Sequence, residues 1–301
     1  MKNVLSIDLE DWDQLIYRRI TGNTAPSSSN AGRQLDSLLA LLNEAGVKAT
    51  FFTLGMFAEQ QPHFVKLVSL EGHEIGCHGY GHLLVNRLSR LQFTEDTRRA
   101  KSLLQDLTGK PVSGYRAAEF SISHQSLWAL EVLAELGFTY DSSIYPIIHR
   151  RYGIPSFDPR PARYSLPNQM NLVELPLTIS RWGRIRLPIA GGGYFRWLPW
   201  WLLRLALQRI QRLGMPLITY FHPYEFDPWP LDAFRVAPVS NAKARLAAHR
   251  MNFHQNFGRA GMVRKMAALL RDFNFGTFQE FLNVTDLGPN QSLLPRQGAP
   301  V

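Results

Sequence analysis

Short apolar stretches, each followed by a longer segment of helical periodicity, alternate along most of this 301-residue chain. That alternation limits it to βαβ units built around a parallel sheet. Val4 to Ile7 reads as a buried strand that runs straight into Asp8, Glu10 and Asp11. After a Ser/Gly/Asn-rich loop from Thr21 to Gly32, Leu35, Leu38, Leu39, Leu41 and Leu42 recur at helical spacing, and Gly46 ends that helix before a strand from Ala49 to Leu54. The same reasoning predicts a helix around Phe64 to Leu70, a strand at Glu74 to Ile75, and a helix from Thr94 to Leu107. A strand at Gly114 to Arg116, a helix from Gln125 to Leu136 and a strand into Tyr140 and Asp141 follow. Further on come a helix at Trp200 to Leu213, a strand at Leu217 to Phe221, a helix at Gly261 to Arg271 and a short Phe278 to Phe281 segment. An α/β fold in the form of a distorted (β/α) barrel is the expectation, with functional residues at the C-terminal ends of its strands.

Residues 1–285 read as one domain. The Pro-, Arg- and Gly-rich stretch at about 145–195 lacks periodicity and reads as a long loop insertion covering the site. Residues 286–301 read as a flexible tail. With 45% hydrophobic and 19% charged residues, the chain has enough apolar surface for a large core. The lone cysteine, Cys77, excludes an intramolecular disulfide, and the first residues form neither a signal-peptide core nor a membrane span. A cytoplasmic enzyme, at most at the inner face of the membrane, is the expectation. A net charge of +9 favours anionic partners, but no nucleic-acid-binding signature accompanies it, so nucleic acid is not expected.

Four groups of residues carry chemistry. His78 and His82, in His78-Gly79-Tyr80-Gly81-His82, stand at i and i+4 and share one face if the segment turns helically, so they can share a metal. Asp8 and Glu10 alternate at a strand end and point the same way, one fit to hold a metal and the other a proton. Two imidazoles and a carboxylate suit Zn2+ but also iron or Co2+, and they leave positions open for hydrolysis. His222 ends another apolar strand, where it can act as a general acid, and Arg116 ends a further one, where it can pair with a carboxylate.

In this order the segments resemble the polysaccharide deacetylase family, the NodB-homology domain of carbohydrate esterase family 4. The resemblance runs from Ser6 to about Glu225. Ser6-Ile7-Asp8-Leu9-Glu10-Asp11 is similar to the first motif, which implies Asp8 as catalytic base and Glu10 as metal ligand, with Asp11 as the alternative ligand. His78 to His82 is similar to the metal-binding second motif. Tyr115-Arg116-Ala117-Ala118-Glu119-Phe120 resembles the third, whose Arg orients the base; Ala118 stands where Pro is usual and Glu119 where a small residue is. Tyr140-Asp141-Ser142-Ser143 resembles the groove-lining fourth motif, and Phe221-His222-Pro223-Tyr224-Glu225 the last, which implies His222 as the acid.

The resemblance implies Tyr115, Phe120, Asp141 and Gly192 as substrate-binding residues. Two stretches, Tyr152 to Pro155 and Ala190 to Arg196, resemble the subgroup from exosortase-associated exopolysaccharide loci. Trp197, Trp200, Trp201, Arg204, Arg209 and Arg212 read as a stripe packing on the barrel, with contact to a membrane surface as the other reading. The implied activity is removal of N-acetyl groups from an amino sugar, with acetate as product and Zn2+, Co2+ or Ni2+ as cofactor. The implied partner is an N-acetylated amino-sugar substrate, with anionic and lipid-linked forms both open. A cyclic-amide hydrolase on the same scaffold and a non-catalytic binding module are the rival readings.

Overall fold

The computed structural model describes residues 2–23, 25–183 and 185–293. Its strands are β1 (Asn3–Leu9), β2 (Thr50–Thr53), β3 (Glu74–Cys77), β4 (Gly114–Tyr115), β5 (Tyr140–Asp141), β6 (Ala162–Ser165), β7 (Asn171–Glu174), β8 (Ile179–Trp182), β9 (Ile185–Pro188), β10 (Ile218–Phe221), β11 (Phe275–Gly276) and β12 (Gln291–Ser292). The helices are α1 (Trp12–Thr21), α2 (Asn30–Glu44), α3 (Gly55–Gln60), α4 (Pro62–Leu70), α5 (Arg90–Thr108) and α6 (Trp128–Glu135), then α7 (Gly192–Trp197), α8 (Trp200–Arg212), α9 (Ala233–Val236), α10 (Ala242–Asn256), α11 (Met262–Asp272) and α12 (Phe278–Val284).

Strand order in the main sheet is β10-β1-β2-β3-β4-β5-β7-β6-β12, parallel from β10 to β7, with β6 antiparallel to β7 and β11 beside the start of β1. The gap between β7 and β10 is spanned by isolated backbone bonds, from Thr178 N to Ile218 O (3.2 Å) and from Tyr220 N to Ala190 O (2.9 Å). The sheet therefore curls into the distorted α/β barrel that the alternation predicts.

Period two along β1 decides what faces where. Leu5, Ile7 and Leu9 point outward into the layer shared with Leu35, Leu38 and Leu42 of α2. Val4 points inward with Phe52, Tyr140 and Ile218, above a plug made by Phe278 and Phe281 of α12. Ser6 and Asp8 share that inward face. Each fully buried leucine of α2 contributes about 1.5–3 kcal/mol, enough to hold the helix against the sheet.

Two expectations need correction, and two helices were not anticipated. Residues 145–195 are not a long loop: β6 and β7 extend the main sheet, β8 pairs with β9 as a hairpin, and α7 follows. Four-residue strands rich in Pro and Arg leave too short a pattern to read. The first part of the expected tail is docked, since β12 pairs with β6 and Asn290 Nδ2 donates to Ser165 Oγ and Asn171 Oδ1; residues 294–301 lie outside the described residues. Helices α1 and α10 gave no sequence signal. The first is ten residues long, and the second buries only Ala248, so it has no apolar stripe.

Candidate active site

The site lies at the C-terminal ends of β1, β3, β4 and β10. Arg116, just past β4, is fully buried and sits 4.2 Å over the ring of Phe52. Its Nη1 donates to Asp8 Oδ1 (2.9 Å) and Ser6 Oγ (2.7 Å), its Nε to the Ser142 carbonyl (3.1 Å) and its Nη2 to Ser142 Oγ (3.0 Å). A guanidinium saturated in this way is a rigid clamp, and it fixes one oxygen of Asp8. Behind it, Ala117 N donates to Ser143 Oγ (2.8 Å), and Ser143 Oγ donates to Asp141 (2.6 Å). Burial, then the neighbouring Asp141, push Glu174 well above the usual carboxylate range, and burial raises Asp141 too, so the pair favours a proton on Glu174.

Glu10, His78 and His82 bring one ligand atom each to within 4.8 Å of one another. Glu10 Oε2 lies 3.2 Å from His82 Nε2 and 3.8 Å from His78 Nε2, and it is buried without a hydrogen-bond donor. His78 Nδ1 is 2.8 Å from the Arg116 carbonyl, which can only accept, so Nδ1 carries the proton and Nε2 presents its lone pair to the cluster. Burial would raise the Glu10 carboxyl, yet His82, His222 and His78 outweigh it and hold the group at about 2. Burial lowers His78, keeping it a neutral donor. An orphaned carboxylate oxygen facing two imidazole lone pairs fits a divalent cation.

The histidines do not meet through a helical turn, as their spacing suggested. Gly79 and His82 both take left-handed backbone, with φ of 72° and 51°. Asp96 of α5 accepts from Tyr80 N (2.7 Å) and Gly81 N (3.0 Å), while Arg18 of α1 donates to the Gly81 carbonyl. The loop is thus held from both flanks. Asp11, the alternative ligand, is occupied elsewhere: it caps α1 by accepting from Asp13 N (2.9 Å) and also accepts from Ser27 Oγ (2.8 Å) and Ser28 N.

Opposite this cluster stands His222, with Nε2 3.4 Å from Glu10 Oε1 and 4.0 Å from Asp8 Oδ2. Its Nδ1 faces Glu225 Oε2 at 3.8 Å. Glu225 also accepts from the His222 backbone N–H (3.0 Å) and from the buried Arg196 (2.5 Å). Burial would lower His222, but Glu225, Glu10 and Asp8 outweigh it and raise it to about 9. The close approach of Glu225 explains the glycine run: a Cβ on Gly192 would fall 1.8 Å from Glu225 Oε2, and one on Gly191 would fall 2.3 Å from the Tyr220 ring.

Around these groups lies a cavity of about 220 Å3, which brings together Asp8, Glu10, His78, His82 and His222. Phe120 lines it, packed edge-on against Tyr220 at 4.7 Å. The other expected substrate contacts are displaced from it. Tyr115 is buried between Phe93 and Phe138, Asp141 is fully buried behind Ser143, and Gly192 lies against Glu225, so that Gly193 is the glycine on the wall. Glu119, with φ of 50°, reaches across the rim to Arg19 (2.6 Å) and Arg151 (3.0 Å). Trp12 and Gln255 also line the pocket and lie outside every motif, whereas Tyr152 and Arg196 lie in the two subgroup-like stretches and Tyr224 in the last motif, without a role having been read for them. Glu225 had a signal too, its place three residues after His222. A larger cavity of about 630 Å3 lies against the other face of α1, beside Arg33, Asp227 and Trp229, and holds none of these groups.

Residues 29–140 match the family model for polysaccharide deacetylase, and residues 142–283 match that of a domain of unknown function, DUF3473. The peptidoglycan deacetylase of Helicobacter pylori is 33% identical over 107 residues, 36% of either chain. A peptidoglycan-N-acetylglucosamine deacetylase of Bacillus cereus is 34% identical over 95 residues, 31% of this chain and 34% of its own. The chain thus spans about a third of the length of these curated relatives. In fold it resembles a crystal structure from Mycobacterium smegmatis described as a candidate polysaccharide deacetylase, with a TM-score of 0.61 and 19% identity, over 98% of this chain and 95% of the other. The motif residues thus meet in one pocket, the segment that carries the histidines matches the polysaccharide deacetylase model at residues 29–140, and the chain as a whole is similar in fold to a structure described as a candidate polysaccharide deacetylase.

Proposed function

We propose that the protein is a metal-dependent hydrolase that removes N-acetyl groups from an amino-sugar polymer or its biosynthetic intermediate, releasing acetate. The observation that supports it most directly is the opposition of a braced carboxylate and a braced imidazole across the Glu10–His78–His82 cluster. Asp8 is pinned by Arg116 at 2.9 Å, and His222 stands 4.0 Å from its free oxygen. These three ligands suit Zn2+ best, with Co2+ or Ni2+ compatible. A cation held there would polarise the acetamide carbonyl and acidify a water.

The protein's own residues divide the remaining work. Asp8 Oδ2, not engaged by Arg116, accepts the proton of the attacking water. His222, kept charged by Glu225, Glu10 and Asp8, gives its proton to the departing amine. Arg196 braces Glu225, so the imidazole keeps its orientation while its charge changes. Tyr220, Phe120 and Tyr152 wall the pocket and limit water. A volume of about 220 Å3 is below the usual roughly 300–1,000 Å3 of small-molecule sites, which suits one sugar unit and its acetamide rather than a longer segment. Tyr152, Gly193 and Arg196 belong to the two stretches similar to the exopolysaccharide-locus subgroup, and all three line the pocket, which supports an exopolysaccharide intermediate as substrate. We place the reaction in the cytoplasm.

The test is acetate release from chitooligosaccharides and UDP-linked N-acetylglucosamine by metal-stripped, zinc-restored and His78→Ala protein. Release that requires both metal and His78 is expected. Silence on every N-acetyl sugar, despite stoichiometric bound metal, would overturn the deacetylase reading.

A further inference from the structure

One stretch of the chain has a charge composition that neither the barrel nor the pocket requires. Residues 175–271 contain 15 Lys and Arg against three acids, Glu225, Asp227 and Asp232, whereas residues 1–174 contain 17 against 18. All three acids are already paired, with Arg196, Arg33 and Arg235. Among the described residues no acid is paired with Lys243, Arg245 or Arg250 of α10.

Within this basic segment, large apolar side chains are turned outward. Trp197 at the end of α7 is 44% exposed, and it stacks on Phe257 (4.1 Å between centroids) and meets Phe253 edge-on (6.3 Å). Phe253 is 65% exposed, Trp201 64%, and Leu246 60%. Along α10 and its C-cap the exposed residues Leu246, Arg250, Phe253 and Phe257 fall at i, i+4, i+7 and i+11, so one outward line carries three apolar groups and one cation. Next to Trp197 opens an apolar hollow of about 230 Å3 between the β8–β9 hairpin and α8, lined by Leu187, Pro188, Ile189, Leu198 and Leu202. The ridge is rigid, because Lys265 of α11 donates to the carbonyls of Phe195 (2.5 Å), Arg196 (3.2 Å) and Leu198 (2.8 Å) around Trp197.

We propose that this face, formed by α7, α8 and α10 around Trp197, docks the protein on an anionic lipid surface. Rigid aromatics among cations suit the boundary between headgroups and acyl chains, and anionic headgroups complement the surplus charge. No described helix is long and apolar enough to cross a membrane, so the contact is peripheral. A second copy of the chain is a poor occupant, since it would bring two strongly basic faces together. Nucleic acid would leave the apolar hollow unfilled. The face also borders the catalytic pocket: Arg196 and Gln255 line the pocket, and their chain neighbours Trp197 and His254 pack together on the ridge at 6.0 Å. Docking would therefore bring the pocket close to the bilayer. The inference does not depend on the deacetylase reading, because it is tested by binding.

The experiment is co-sedimentation of the full chain with vesicles of phosphatidylcholine alone or mixed with phosphatidylglycerol, at low and high salt. Binding to the anionic vesicles that is weakened by salt is expected. The Trp197→Ser/Phe253→Ser variant should lose about tenfold in partitioning while melting like the parent, and Lys243→Glu/Arg250→Glu should lose a similar factor. The second variant changes only exposed charges, so it remains informative if the first fails to fold. The proposal is overturned if the parent stays in the supernatant with anionic vesicles, if neither variant weakens binding, or if the parent is a dimer that Trp197→Ser/Phe253→Ser makes monomeric.

Discussion

Residues 1–174 and residues 175–271 contribute to one pocket in different ways. The first stretch carries the proposed cation ligands, Asp8 and Arg116, with nearly balanced charge; the second carries His222, Glu225 and Arg196 within a large surplus of cations. The two family models divide the chain earlier, between residues 140 and 142. In the first stretch the charges that matter are buried and saturated with hydrogen bonds, as around Arg116, so their geometry is fixed by the sheet. In the second, the buried charges among the described residues are Arg196, Glu225, Asp227 and Arg259, and most of the basic residues face outward. Burial makes charge part of the geometry of the pocket, while exposure leaves it available to outside partners.

The difference can be broken at its strongest point with His78→Ala. Metal content should fall from stoichiometric to near zero and acetate release by about 10^3-fold or more. Elemental analysis and an acetate assay decide it, and retention of both would mean that the first stretch does not hold the cation.

Next in size, Arg196→Met or Glu225→Gln should each cost about 3–5 kcal/mol in denaturant unfolding, because either leaves a buried partner uncompensated. The double variant should recover part of that loss. Unfolding free energies within about 1 kcal/mol of the parent for both single variants would show that the second stretch does not depend on this pair.

A pH effect belongs to the first stretch. Glu174 is held protonated, its folded value raised by burial and Asp141. Its contribution to stability is complete below the unfolded carboxylate range and is lost as pH rises toward the folded value, since the unfolded chain then ionises more readily. Glu174→Gln should therefore leave the melting temperature unchanged near pH 4 and raise it at pH 8. Equal shifts at both pH values would refute the shared proton. The smallest effect is expected for Glu119→Gln at the rim: its pairs with Arg19 and Arg151 are partly exposed, so stability should change by less than about 1 kcal/mol. The change should appear in KM rather than kcat, and a kcat loss with constant KM would instead assign Glu119 to the chemistry.

Much of the site was legible because each of its motif residues follows an apolar strand. Asp8 and Glu10 after Ile7, His78 after β3, Arg116 after Tyr115 and His222 after Phe221 break an apolar run at the end where such folds gather function. The partners that hold them were not legible. Ser142 lies 26 residues from Arg116, Asp96 lies 15 from Gly81 and Arg196 lies 29 from Glu225, and no local pattern marks such contacts. The spacing of His78 and His82 even suggested a helix, where left-handed turns at Gly79 and His82 do the work instead.

By itself the sequence determined the α/β class, the alternation that puts Ser6 and Asp8 on one face of β1, and the identity of the groups able to hold a cation or move a proton. These follow from periodicity and side-chain chemistry, which are local. Only the tertiary structure decided that Glu10 rather than Asp11 faces the histidines, that Tyr115 and Asp141 belong to the interior, and that residues 145–195 extend the sheet. It also decided that Trp197 and Trp201 face outward. Those outcomes depend on which segments meet after the sheet curls, and such long-range packing leaves no trace in the spacing of neighbouring residues.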